Sequence, residues 1–109
     1  MKTGVIYYGG IPNYFPQGQS GRLLLNEEGL IFRGPHIDSY HIPISRIRGA
    51  SVIKEYIHVV FVVILAIDYF DGKGGQRTLK VRIRAIGWPW VLKRSNLWIE
   101  EINRRIKKK

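Results

Sequence analysis

Thr78-Leu79-Lys80-Val81-Arg82-Ile83-Arg84 alternates strictly between apolar and basic residues. On a β-strand, successive side chains point to opposite faces, so Leu79, Val81 and Ile83 share one face and Lys80, Arg82 and Arg84 the other. The three cations then stand roughly 7 Å apart along the strand. Two readings are open. The row is a solvated strand face, paired in part with acids on a neighbouring strand, or it is a cationic ladder for phosphates and carboxylates. Lys80, Arg82 and Arg84 are the candidate anion-binding residues.

A second constellation is helical. At about 100° per residue, Trp88, Val91, Leu92, Ser95, Trp98, Ile99, Ile102 and Ile106 fall on one face, which must be buried. Trp90 and Leu97 fall on the opposite face, with Lys93, Arg94 and Glu101 around them. An apolar spot with a charged rim has the make-up of a partner site, so Trp90, Lys93, Arg94 and Leu97 are the candidate partner-binding residues. The competing reading is that the N-terminal segment, through Tyr14 and Phe15, folds over this face and covers it.

Other reactive residues lead nowhere specific. Gly18-Gln19-Ser20-Gly21 lacks one residue of the Gly-x-Ser-x-Gly hydrolase elbow, and no helix follows it. Gly72-Lys73-Gly74-Gly75 has the composition of a phosphate loop but leads into a strand, so it reads as a hairpin turn. His36 and Asp38 could share a strand face, but two ligands do not make a metal site; His41 and His58 have no partner at ligand spacing. Asp71 begins a turn and Asp68 ends a strand. Cysteine is absent, which excludes disulfides, Cys-based zinc sites and thiol nucleophiles. No catalytic residue, cofactor or metal is expected.

The chain has 109 residues, enough for one domain, and a formal net charge of +10. Residues 1–54 hold six basic and three acidic residues, and residues 55–109 hold twelve and five, so the second half carries most of the excess. Such a field attracts acidic proteins, anionic membrane or nucleic acid. The longest uncharged apolar run, Tyr56 to Ile67, is twelve residues rich in β-branched types. It is shorter than the roughly 20 residues of a spanning helix and reads as a buried strand. With no targeting signal visible, a cytoplasmic location is expected, with a membrane-peripheral one as the alternative.

The elements that must position these residues follow from the punctuation. Residues 1–20, broken by Gly9, Gly10, Pro12, Pro16 and Gly18, read as an irregular lead-in. Arg22-Leu23-Leu24-Leu25 and Leu30-Ile31-Phe32-Arg33 flank Asn26-Glu27-Glu28-Gly29 as a β-hairpin. Ser39 to Ile42 is a short strand, Ile44 to Ile47 a tight corner, and Arg48 to Lys54 a strand with a bulge at Gly49. The apolar run continues to Phe70, and the turn Asp71 to Gln76 leads into Arg77 to Arg84. Residues 88–107 form the terminal helix, with Pro89 in its first turn. Ser95, polar within the apolar stripe, is expected to bond back to the Val91 carbonyl. The alternative is a shorter helix that Ser95 caps. The fold class is mainly β (α+β): a strongly bent antiparallel sheet or partly open barrel of six to seven strands, capped by one C-terminal helix.

The hairpin Gly21 to Phe32, the strand leading to Ile42-Pro43-Ile44-Ser45-Arg46-Ile47, the turn at Asp71-Gly72 and the helix through Trp98 and Ile102 resemble the PH-like superfold, in its GRAM-like and bacterial PH-like branch. The resemblance spans about residues 20–107. It implies a non-catalytic module that binds proteins, its own copies or membranes. The early basic cluster that reads phosphoinositides in lipid-binding members is missing, with Arg22 alone near that position. Protein–protein interaction or self-assembly is therefore the leading expectation. Anionic membrane surfaces come second and non-specific nucleic-acid binding third; the basic strand lacks the aromatic residues the last would use.

Overall fold

The structure is a computed structural model describing residues 1–12, 14, 19–35, 37–57, 60–85 and 88–107, with the backbone only at 37, 38, 57, 60, 61 and 88. Its strands are β1 (Lys2–Gly9), β2 (Gln19–Leu25), β3 (Gly29–Gly34), β4 (Ile37–Pro43), β5 (Ile47–Ile57), β6 (Val60–Phe70) and β7 (Gln76–Ile83). A single 3-10 turn, Ile44–Arg46, separates β4 from β5, and the helix α1 (Trp88–Lys107) follows β7. The seven strands form one open antiparallel sheet in the order β4-β3-β2-β1-β7-β6-β5.

The sheet bends strongly. Tyr40 on β4 and Tyr69 on β6 lie five strand spacings apart in the sheet order. A flat sheet would separate them by roughly 24 Å, yet their ring centroids are 6.2 Å apart. The inward residues Val5, Leu23, Phe32, Leu65, Leu79 and Val81 therefore meet in one core. The helix covers β5, β6 and β7 and inserts Trp98 and Ile102 into that core. Val91 is buried on the same stripe, while Leu92, Ile99 and Ile106 are half-buried.

Local chemistry explains the turns. The Asn26 side-chain oxygen accepts the Glu28 and Gly29 amides at 2.9 and 3.1 Å, which closes the β2–β3 turn. Gly29 sits at φ 150° against β4, and a Cβ there would lie 2.1 Å from the Ile42 carbonyl oxygen, so no other residue fits. In the β6–β7 turn, Asp71 Oδ1 accepts the Lys73 and Gly75 amides, and Oδ2 accepts Arg77 Nε at 2.8 Å. The register shift between Ile47 and Gly49 is the bulge that Gly49 signals.

Three expectations are corrected. Residues 1–20 are not an irregular lead-in, because Lys2–Gly9 is a central strand paired with β2 and β7. Val5 and Tyr7 point inward and are fully buried, an alternation masked in the sequence by the run Val5-Ile6-Tyr7-Tyr8. The apolar run from Tyr56 onward is not one strand. Tyr56 and Ile57 end β5, and Val60 begins β6 in register with Ile57. Apolar composition cannot show a hairpin that reverses inside an apolar run. Finally, the buried Ser95 Oγ has no hydrogen-bond partner, so the bond to Val91 does not form. The helix is the long one, and Ser95 is not its cap.

Candidate functional site

The alternation of β7 is realised. Leu79, Val81 and Ile83 are fully buried, and Lys80, Arg82 and Arg84 take the outer face. The three cations differ in their surroundings. Lys80 Nζ lies 3.0 Å from Glu55 Oε1, a half-exposed ion pair between β7 and β5. Arg82 stands opposite Ile6 of β1 and keeps no ion pair among the described residues. Arg84 lies just past the strand, where its amide donates to the Gly4 carbonyl at 2.9 Å. Its stem lies over Gly4, with Cδ 3.4 Å from where a Cβ on residue 4 would sit.

Arg84 joins residues that the sequence did not group with it. A groove on the outer face of β1, β2 and β3 is lined by Lys2, Arg22, Arg33 and Arg84, with Gly4 in its floor. Register explains the gathering. Arg33 pairs with Arg22, Arg22 with Gly4, and Gly4 bonds to Arg84, so the three arginines lie in one row across the sheet. One signal was readable: Arg22 and Arg33 are equidistant from the Asn26–Gly29 turn, which sets them opposite each other. The neighbourhood of β1 and β7 was not readable.

On the helix, Trp90 is 57% exposed and Leu97 49%. Lys93 Nζ sits 5.5 Å from the Trp90 ring centroid, a cation–π contact, and Arg94 is exposed beside it. Glu101 is held by Arg104 and Arg105. Tyr14 does not cover this face. It packs on Tyr7 and Phe32 at ring distances of 4.9 and 6.0 Å and donates to the Pro35 carbonyl at 2.7 Å. Phe15, His36, His58, Gly18 and Lys108-Lys109 lie outside the described residues, as do the side chains of Asp38 and Trp88.

The shifted titratable groups belong to the scaffold. The Arg77 guanidinium, with the Gly75 and Lys73 amides, lowers the Asp71 carboxyl from 3.8 to about 2. Burial pushes the phenols of Tyr7, Tyr14 and Tyr69 upward. All four keep one protonation state around neutrality. Asp68 accepts the Thr78 hydroxyl at 2.7 Å across the β6–β7 pair. No group of three or more His, Asp or Glu side chains able to hold a metal gathers among the described residues. No described helix is long and apolar enough to cross a membrane.

In comparisons with known proteins, the chain matches no protein-family model and no curated protein.

Proposed function

We propose that the chain is a non-catalytic, PH-like binding module that docks on another protein through the outer face of α1. The observation that carries this reading is the joint exposure of Trp90 and Leu97, 57% and 49%, on one helix face. A single exposed apolar residue means little. A tryptophan beside a leucine, rimmed by Lys93 and Arg94, supplies the aromatic anchor and charged border of an interface. Tyr14, one of the two residues that could have covered this face, is used in the core. A net charge of +10 makes two copies repel. An acidic partner therefore suits the face better than self-assembly does. The same reading sets the binding in the cytoplasm, with the membrane face of that compartment as the alternative.

The test is the double variant Trp90→Ser with Leu97→Ser. The circular dichroism spectrum and melting temperature should stay as in the parent, and an acidic protein retained by the parent chain should be lost. A double variant that unfolds, or that retains the same partner as tightly, removes this reading. A parent chain that doubles its mass by light scattering, with the variant monomeric, would replace the acidic partner by a second copy.

A further inference from the structure

We infer that the groove formed by Lys2, Arg22, Arg33 and Arg84 on the outer face of the sheet is a binding site for a phosphate-bearing anion. This site is separate from the helix face and does not rest on it.

The groove has a volume of about 500 Å³ and no carboxylate among its described lining residues. Arg22 and Arg33 are directly opposed across β2 and β3, a like-charge pairing that destabilises a sheet. Lys2 stands two residues from Gly4 on the same face of β1. None of the four cations has an ion-pair partner among the described residues. Lys80, by contrast, is neutralised by Glu55. Among the described residues, the sheet thus holds an uncompensated cluster whose mutual repulsion a bound anion would relieve.

Geometry selects the anion. Three guanidinium forks start from one row across the sheet, and the Arg84 stem packs over Gly4 because that position has no side chain. A carboxylate has one charge and engages one fork bidentately; a phosphomonoester or diphosphate has more charge and enough oxygens for two or three forks. No aromatic side chain lines the groove among the described residues. Stacked bases would need one, so the site suits phosphate groups and not a nucleic-acid strand.

Calorimetric titration with inorganic pyrophosphate, and co-sedimentation with vesicles containing phosphatidic acid or phosphatidylserine, test the inference. Arg22→Gln with Arg33→Gln should weaken binding about tenfold or more, because two charge-assisted contacts are lost. Arg46→Gln with Lys73→Gln removes the same charge from exposed positions elsewhere and should change binding by less than about threefold. Gly4→Val keeps every charge but fills the floor beneath Arg84, and should also weaken binding. Saturable pyrophosphate binding identifies a free phosphate compound as the ligand. Binding only to phosphatidic acid vesicles identifies a phosphomonoester headgroup. Either supports the site. Equal weakening by the two double variants, preference for single-stranded DNA over pyrophosphate, or equal binding to both vesicle types together with no saturable pyrophosphate binding overturns it. Circular dichroism on each variant separates loss of binding from loss of fold.

Discussion

The Tyr7 hydroxyl donates to the Tyr14 carbonyl oxygen at 2.8 Å and accepts the Ile11 amide at 3.0 Å. One buried phenol thus fastens the segment after β1 to the strand itself. The Tyr7, Tyr14 and Phe32 rings pack together around that bond. This arrangement keeps Tyr14 in the core and away from the helix exterior.

Tyr7→Phe should therefore cost more than a single exposed hydrogen bond. It leaves the Ile11 amide and the Tyr14 carbonyl without their buried partner, a loss of about 1–3 kcal/mol. Urea unfolding measures it. A midpoint equal to that of the parent would mean that water replaces the hydroxyl without cost.

Ser95→Ala should act in the opposite direction. The Ser95 hydroxyl is fully buried with no hydrogen-bond partner. Alanine removes the unsatisfied group and is the better helix former, so a gain of about 1 kcal/mol is expected. A lower melting temperature in the variant would show that the hydroxyl is satisfied in solution.

Trp98→Ala and Ile102→Ala should each destabilise by about 2–5 kcal/mol, since both side chains are buried where α1 meets the sheet. An unchanged unfolding midpoint for either would place the apolar stripe on the wrong side of the helix.

Those helix residues were legible because a repeat near 3.6 has one structural solution. The inward residues of β7 were legible for the same kind of reason, since strict alternation assigns every side chain to a face. β1 was not, because Gly4, Gly9 and Gly10 surround its two core residues, Val5 and Tyr7, and Ile6 and Tyr8 are apolar as well. The basic groove was less legible still. Arg22 and Arg33 meet across their own hairpin, but Lys2 joins them only through the β1–β2 pairing, and Arg84 only because β1 pairs with β7, the last strand. Local pattern has no access to a pairing between distant strands. The fate of Lys80 was hidden likewise, since its acid, Glu55, comes from two strands away.

Asp71 gives the fold an acid limit. Its carboxyl has a pKa of about 2, against 3.8 for the ordinary group, because Arg77 and two backbone amides favour the charged form. A pKa lowered on folding contributes stability in full above the unfolded value, and that contribution is lost as the pH falls through the folded one. Asp71→Asn should therefore be less stable than the parent at neutral pH, and the gap should close between 3.8 and about 2. A gap that stays constant over this window would mean that the amides and Arg77 do not favour the charge.

The Lys80–Glu55 pair offers a test of the outer strand face. With both side chains 38% exposed, it contributes roughly 0.2–1 kcal/mol to stability, so either partner can be changed without losing the fold. Glu55→Gln removes one negative charge and releases Lys80 beside Arg82. If this face meets anionic membrane, each basic residue near the surface adds about 1 kcal/mol, and the variant should bind phosphatidylserine vesicles about fivefold more tightly at low salt. Lys80→Gln should weaken binding by a similar factor, because it leaves the Glu55 carboxylate uncompensated on the same face. Co-sedimentation at rising salt makes the measurement, since a gain from charge must shrink as screening increases. Equal binding by parent and Glu55→Gln would mean that the outer face of β7 does not touch the membrane, and that any attraction to anionic vesicles comes from elsewhere on the chain.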